Sequence, residues 1–91
     1  MTPEEYRAIW NHEMADLLVQ MTLKLAKRVD PIPVQRSTLA QLITKLHEEV
    51  EELEEAVLVD DAPTEHILDE CADVANCALL IYRAALGRPD A

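Results

Sequence analysis

Two short stretches of this 91-residue chain carry carboxylates at spacings that could hold a cation. In "KLHEEVEELEEAV", residues 45–57, six glutamates occupy the eight positions from Glu48 to Glu55. In "DECADVANC", residues 69–77, Glu70 and Asp73 stand three apart among small apolar residues. Side chains three or four positions apart share a helix face. Glu49 with Glu52, and Glu70 with Asp73, therefore form two acidic pairs if both stretches are helical. Hard divalent cations take oxygen ligands from such pairs.

Helical geometry separates these carboxylates from ordinary surface charge. Measured from the apolar stripe of its helix, Glu49 lies roughly 70° to one side and Glu52 roughly 130°. Lys45 falls between them, and Glu48 borders Glu52 on the outer side. Glu51 and Glu55 face solvent, and Glu54 flanks the other edge. In the later stretch Glu70 projects into the middle of the apolar side, with Asp73 about 60° away. A carboxylate on a core-facing stripe costs several kcal/mol, on the order of a buried charge, unless something compensates it. Metal ions facing both pairs would do so. Geometry alone leaves open that Glu70 and Asp73 pair with Lys45, Arg83 or Arg36, or that they lie where the stripe meets no partner.

The elements that must position these groups can be read along the chain. Thr2, Pro3 and Glu5 open a first helix with an N-cap and a capping-box glutamate. Tyr6, Ile9, Trp10, Met14, Leu17, Leu18, Met21 and Leu25 recur along it at helical spacing. Pro31 and Pro33 bar its continuation. Thr38 and Gln41 form a second capping box, followed by the stripe Leu39, Leu42, Ile43, Leu46, Val50, Leu53 and Val57. Pro63 opens a third helix, which Gly87 caps, with Pro89 beyond. Its apolar side is drawn by Ile67, Val74, Cys77, Leu80, Ile81, Ala84 and Ala85. The spacing predicts an all-α single domain over residues 1–91 with helices at about 3–28, 38–58 and 64–86.

Composition bounds the function. A single Gly, no Phe and a net charge of −10 favour an acidic helical protein. That charge repels nucleic-acid backbones and anionic membranes and suits a collector of divalent cations. Cys71 and Cys77, six apart on one helix, stand about 9 Å apart, too far for a disulfide, and pack as small hydrophobes. No signal-peptide pattern or membrane-spanning run is present, which predicts a reduced cytoplasmic compartment.

Taken together, "KLHEEVEELEEA" and "DECADVANCALLI" resemble the MazG-like all-α nucleoside triphosphate pyrophosphohydrolases. The family motif, EExxE on one helix and ExxD on the next, reads here as Glu48-Glu49-Val50-Glu51-Glu52 and Glu70-Cys71-Ala72-Asp73. "ECADVAN" is especially similar to the short MazG-like proteins of phages and bacteria. The resemblance covers about residues 39 to 86. It implies Mg²⁺-dependent cleavage of an NTP or dNTP between the α- and β-phosphates, with Mn²⁺ as a substitute. It further implies Glu49, Glu52, Glu70 and Asp73 as metal ligands and Glu48 as the base or water-orienting group. On the substrate side, Asn76 is a candidate for phosphate or sugar contact and Lys45 for a phosphate oxygen. Each also has a structural alternative: a satisfied amide for Asn76, and a pair with Glu49 for Lys45. Trp10 sits in an apolar stripe and is expected in a core or interface. His12, His47 and His66 show no ligand spacing.

The long stripes predict a homodimer, or a dimer of dimers, in which the second and third helices of two chains form a four-helix core. A non-catalytic acidic oligomerisation module is the competing class, and it would need no divalent ion. Sister enzymes, phosphoribosyl-ATP pyrophosphatase or a dimeric dUTPase, form another alternative. The first of these has a more basic segment before its acidic motif, where "AQLITKL" offers only Lys45.

Overall fold

The computed structural model describes residues 1–27, 38–59 and 62–87, and these form three helices. They are α1 (Pro3–Ala26), α2 (Leu39–Leu58) and α3 (Thr64–Ala85). No described residue is in a strand, so the all-α expectation holds. The expected proline break at Pro31 and Pro33, Arg36 and Pro89 lie outside the described residues.

Local chemistry sets the ends. Thr2 Oγ1 accepts from Glu5 N at 3.2 Å and donates to Glu5 Oε1 at 3.2 Å. The expected box at α1 is thus a cap plus a hydroxyl–carboxylate bond, with the Glu5 side chain turned to Thr2's hydroxyl. At α2 the capping box is complete: Gln41 N donates to Thr38 Oγ1 at 3.2 Å, and Thr38 N to Gln41 Oε1 at 2.8 Å. Two orphan backbone donors are satisfied there. Pro63 precedes α3 without a side-chain cap. Gly87 ends α3 in the left-handed region at φ 69°, with its N–H donating to Ala84 O at 3.0 Å. Glycine reaches that conformation without the penalty a Cβ would impose.

Helix α3 is the hub, with α2 packed along it and α1 against it more sparingly. Between α2 and α3, Ala62 N donates to Val59 O at 3.1 Å. Burial is concentrated where α2 meets α3. Leu42, Ala56, Ala72 and Cys77 are the buried apolar side chains among the described residues, and Glu49, Glu70 and Asn76 are buried beside them. This core is nearly as polar as it is apolar.

The expected stripe on α1 is not a core of this chain. No residue of α1 is buried, and Trp10 is 54% exposed. Two causes are visible. Apolar residues are spread around α1 instead of gathered on one face, and only its C-terminal turns, at Met21, Lys24 and Leu25, are half-buried. On α2, likewise, Leu39, Ile43 and Val57 are exposed while Leu42 is buried. The radius of gyration, 14.8 Å, exceeds the roughly 12 Å of a compact domain of this length. None of the described helices is long and apolar enough to cross a membrane.

Candidate metal centre

Glu49 comes from the middle of α2, and Glu70 and Asp73 from the first half of α3. Leu42, Leu46, Glu49, Leu53 and Ala56 recur at three- and four-residue spacing, so the side of α2 that packs on α3 carries Glu49 inward. Ala72, with no exposed surface, keeps the two helices close at this level. Packing of this kind brings carboxylate oxygens of Glu49, Glu70 and Asp73 all within 4.8 Å of one another. These are three of the four ligands expected from the motif.

The fourth, Glu52, stands at the open rim. Its carboxyl is pushed above the ordinary glutamate range. The negative charge of Glu49 is the main cause, and some desolvation and the charge of Glu70 add to it; Lys45 opposes the shift. Glu52 and Glu70 also line a cleft of about 420 Å³ with Ala56, Val59, Pro63 and His66.

Cations compensate part of the charge. Lys45 Nζ lies 3.0 Å from Glu49 Oε1 and 3.8 Å from Glu48. The hydrogen bond to Glu49 raises the Lys45 pKa against the opposing effect of burial. Lys24 reaches across from α1 to Asp73 Oδ1 at 2.7 Å and Asp69 Oδ2 at 2.8 Å. Burial disfavours the charge on Lys24, but the hydrogen bonds to Asp69 and Asp73 outweigh it, and its pKa is raised. His66 Nε2 stands 3.9 Å from Glu70 Oε1, an ion pair whenever the imidazole is protonated.

Three buried side-chain oxygens are left over among the described residues, one of them Asn76 Oδ1 and the other two on the cluster itself. Glu49 Oε2 and Glu70 Oε2 are buried and have no hydrogen-bond partner among the described residues. Buried oxygens are costly unless paired, and here they belong to a cluster of oxygen donors suited to a hard divalent cation. The residues present therefore fit such an ion.

The remaining expected residues are placed as follows. Glu48 is exposed beside Lys45. Asn76 is buried at 3% exposure, and its Nδ2 donates to Met21 O of α1 at 3.1 Å. Lys45 makes the i,i+4 pair with Glu49 that its spacing allowed. Lys24, Asp69 and His66 were not among the expected site residues. His66 was legible, one turn before Glu70 on the same helix. Lys24 had no local signal, because it arrives from another helix.

A family profile for phosphoribosyl-ATP pyrophosphohydrolase matches residues 18–85 of this chain. The chain belongs to that family. The family lies within the MazG-like all-α superfamily, and its members are pyrophosphohydrolases, which hydrolyse phosphoric anhydrides. The superfamily expected from the EExxE and ExxD motifs is thereby established, through the sister-enzyme branch that the motifs left as an alternative. The matched region contains α2, α3 and the C-terminal third of α1, and hence every acidic residue of the cluster as well as Lys24. No curated protein and no solved structure matches the chain significantly.

Proposed function

We propose that this member of the family is a metal-dependent nucleotide pyrophosphohydrolase that cleaves an NTP or dNTP between the α- and β-phosphates. The products are the monophosphate and pyrophosphate. The observation that carries this reading is the cluster of Glu49, Glu70 and Asp73, whose carboxylate oxygens come within 4.8 Å of one another and in which Glu49 and Glu70 each keep a buried oxygen with no partner among the described residues. Glu49, Glu70 and Asp73 would hold Mg²⁺, or Mn²⁺ in its place, with Glu52 at the rim as a fourth oxygen donor. Such an ion, when bound, would supply neutralisation of the triphosphate charge and polarisation of the attacked phosphorus.

The chain's own groups divide the remaining work. Glu48, exposed next to the cluster, accepts the proton of the attacking water. The α–β bridging oxygen leaves with pyrophosphate. Lys45, paired with Glu49 at 3.0 Å, offsets part of that carboxylate's charge and presents its ammonium to a phosphate oxygen. Asn76, turned towards Met21 O, we assign to seating α1 on α3 instead of to the substrate.

Phosphoribosyl-ATP, the substrate in the family's name, carries the same triphosphate and would undergo the same cleavage. It also carries a further phosphate, which calls for an additional cation. Lys24 is engaged by Asp69 and Asp73 and Lys45 is assigned to the triphosphate, so neither serves a further phosphate, which favours the simpler nucleotides. We further infer a homodimer, or a dimer of dimers. Besides the expected pairing of α2 and α3, the exposed Ile9, Trp10 and Leu18 of α1 argue that α1 also lies in the interface. Cys71 and Cys77 are not joined by a disulfide, which agrees with a cytoplasmic setting.

The test is pyrophosphate release from a panel of NTPs, dNTPs and phosphoribosyl-ATP, with and without Mg²⁺ or Mn²⁺. Metal-dependent release from simple nucleotides is expected. Release from phosphoribosyl-ATP alone would transfer the assignment to the family's namesake reaction. No release from any of them by folded protein would leave the acidic oligomerisation module.

A further inference from the structure

Lys24 stands where α1 crosses the acidic cluster, and its ammonium has three acceptors on α3. It lies 2.7 Å from Asp73 Oδ1, 2.8 Å from Asp69 Oδ2 and 3.3 Å from the Asp69 carbonyl oxygen. Only Asp73 shares the cluster with Glu49 and Glu70. Asp69 lies one turn earlier, with its side chain half exposed. The ammonium thus bridges a carboxylate inside the cluster and one outside it. On the same face of α1, the Met21 carbonyl is held by Asn76, which fixes Lys24 over this spot. Its side chain is 24% exposed, so the contact is partly shielded from water.

We propose that Lys24 is a resident counter-cation that competes with the divalent ion for Asp73, and that Asp69 retains its ammonium when the ion takes Asp73. The inference rests on Asp73 being an ion ligand. An ammonium against one oxygen of Asp73 offsets its charge in the ion-free chain and repels an incoming cation. Because two of the three acceptors belong to Asp69, Lys24 can give up Asp73 with little displacement and without losing its charge partner. Lys24 is a positioning residue in this scheme. It touches neither substrate nor reacting atoms, and it sets how readily the cluster loads and how Asp73 is oriented before it does.

The scheme differs from a general field effect in one respect. A through-space field makes the contributions of Lys24 and Asp69 additive, whereas retention makes the role of Asp69 conditional on Lys24. The experiment is Mn²⁺ binding to the full chain without nucleotide, followed by electron paramagnetic resonance. Lys24→Met is expected to bind Mn²⁺ about tenfold more tightly, a change of about 1.4 kcal/mol. Asp69→Asn is expected to bind it about fivefold more weakly, since the ammonium is then held on Asp73. In the double variant the Asp69→Asn effect should disappear. An equal Asp69→Asn effect in both backgrounds would overturn the proposal, as would unchanged affinity in Lys24→Met. Asp69 is exposed, so its variant stays informative if Lys24→Met folds poorly. Glu70→Gln serves as the control for the underlying reading. If it and the wild-type chain bind Mn²⁺ equally, the ligand assignment itself fails; if only Glu70→Gln loses the ion, a flat cycle condemns Lys24 alone.

Discussion

Lys45 Nζ sits 3.0 Å from Glu49 Oε1, while the second oxygen of the same carboxylate is buried without a partner among the described residues. One side of Glu49 is thus satisfied by its own helix and the other has no partner among the described residues. The lysine is half exposed and the glutamate is not. Lys45→Met therefore leaves a buried carboxylate uncompensated, at a cost of about 1 kcal/mol after solvent screening. Urea denaturation without divalent ions should show this loss, and saturating Mg²⁺ should shrink it.

Glu52 makes the ion-free chain sensitive to pH. Its pKa is raised in the folded chain, chiefly by Glu49, so the folded state binds the proton more tightly than the unfolded state does. The stabilising contribution of that proton is fully present below the ordinary glutamate value of 4.5. It is lost as pH climbs through the raised one. Thermal unfolding in a chelator should accordingly find Glu52→Gln more stable than wild type at pH 7, with the advantage fading towards pH 4.5. A constant advantage across this range would contradict the repulsion between Glu52 and Glu49.

Asp73→Asn retains the size of the side chain and removes its charge. Turnover should fall at least about a hundredfold, as expected when a ligand to the catalytic ion is lost. The far-ultraviolet circular dichroism should stay that of a helical protein. Turnover close to wild type, measured by pyrophosphate release, would remove Asp73 from the ion site.

Trp10 is an apolar side chain facing outward on a helix that buries nothing. A charge introduced there should be tolerated by a monomer and rejected by an interface core. Trp10→Glu is expected to weaken self-association about a hundredfold or more in sedimentation velocity, with helicity preserved. Unchanged sedimentation would place the interface elsewhere.

Much of the site was legible because its signals are local. The EExxE and ExxD spacings put carboxylates on defined helix faces, and helical periodicity carried Glu49 and Glu70 inward as expected from the wheel. Thr38, Gln41 and Gly87 announced helix ends through their own hydrogen-bonding and backbone chemistry. Lys24 escaped because nothing near it in the chain records that α1 crosses α3 at Asp73. The α1 stripe misled for a related reason. Periodicity reports that a helix seeks cover, and it does not say whether the cover comes from the same chain. Ile43 and Val57 of α2 repeat that lesson.

Through residue 20 every position of α1 is exposed, and only its last turns rest on α3. A helical segment with so little tertiary support is held mainly by its own backbone bonds, which are marginal in water at this length. Its amides should then trade hydrogen for deuterium through local fraying, far faster than those of α2 and α3, which open only with the hairpin. If a second chain covers α1, that exchange slows as the protein is concentrated, while the hairpin amides barely respond. The first helix would in that case acquire its order from the company it keeps, and deuterium uptake along α1 would report how much of the population is assembled.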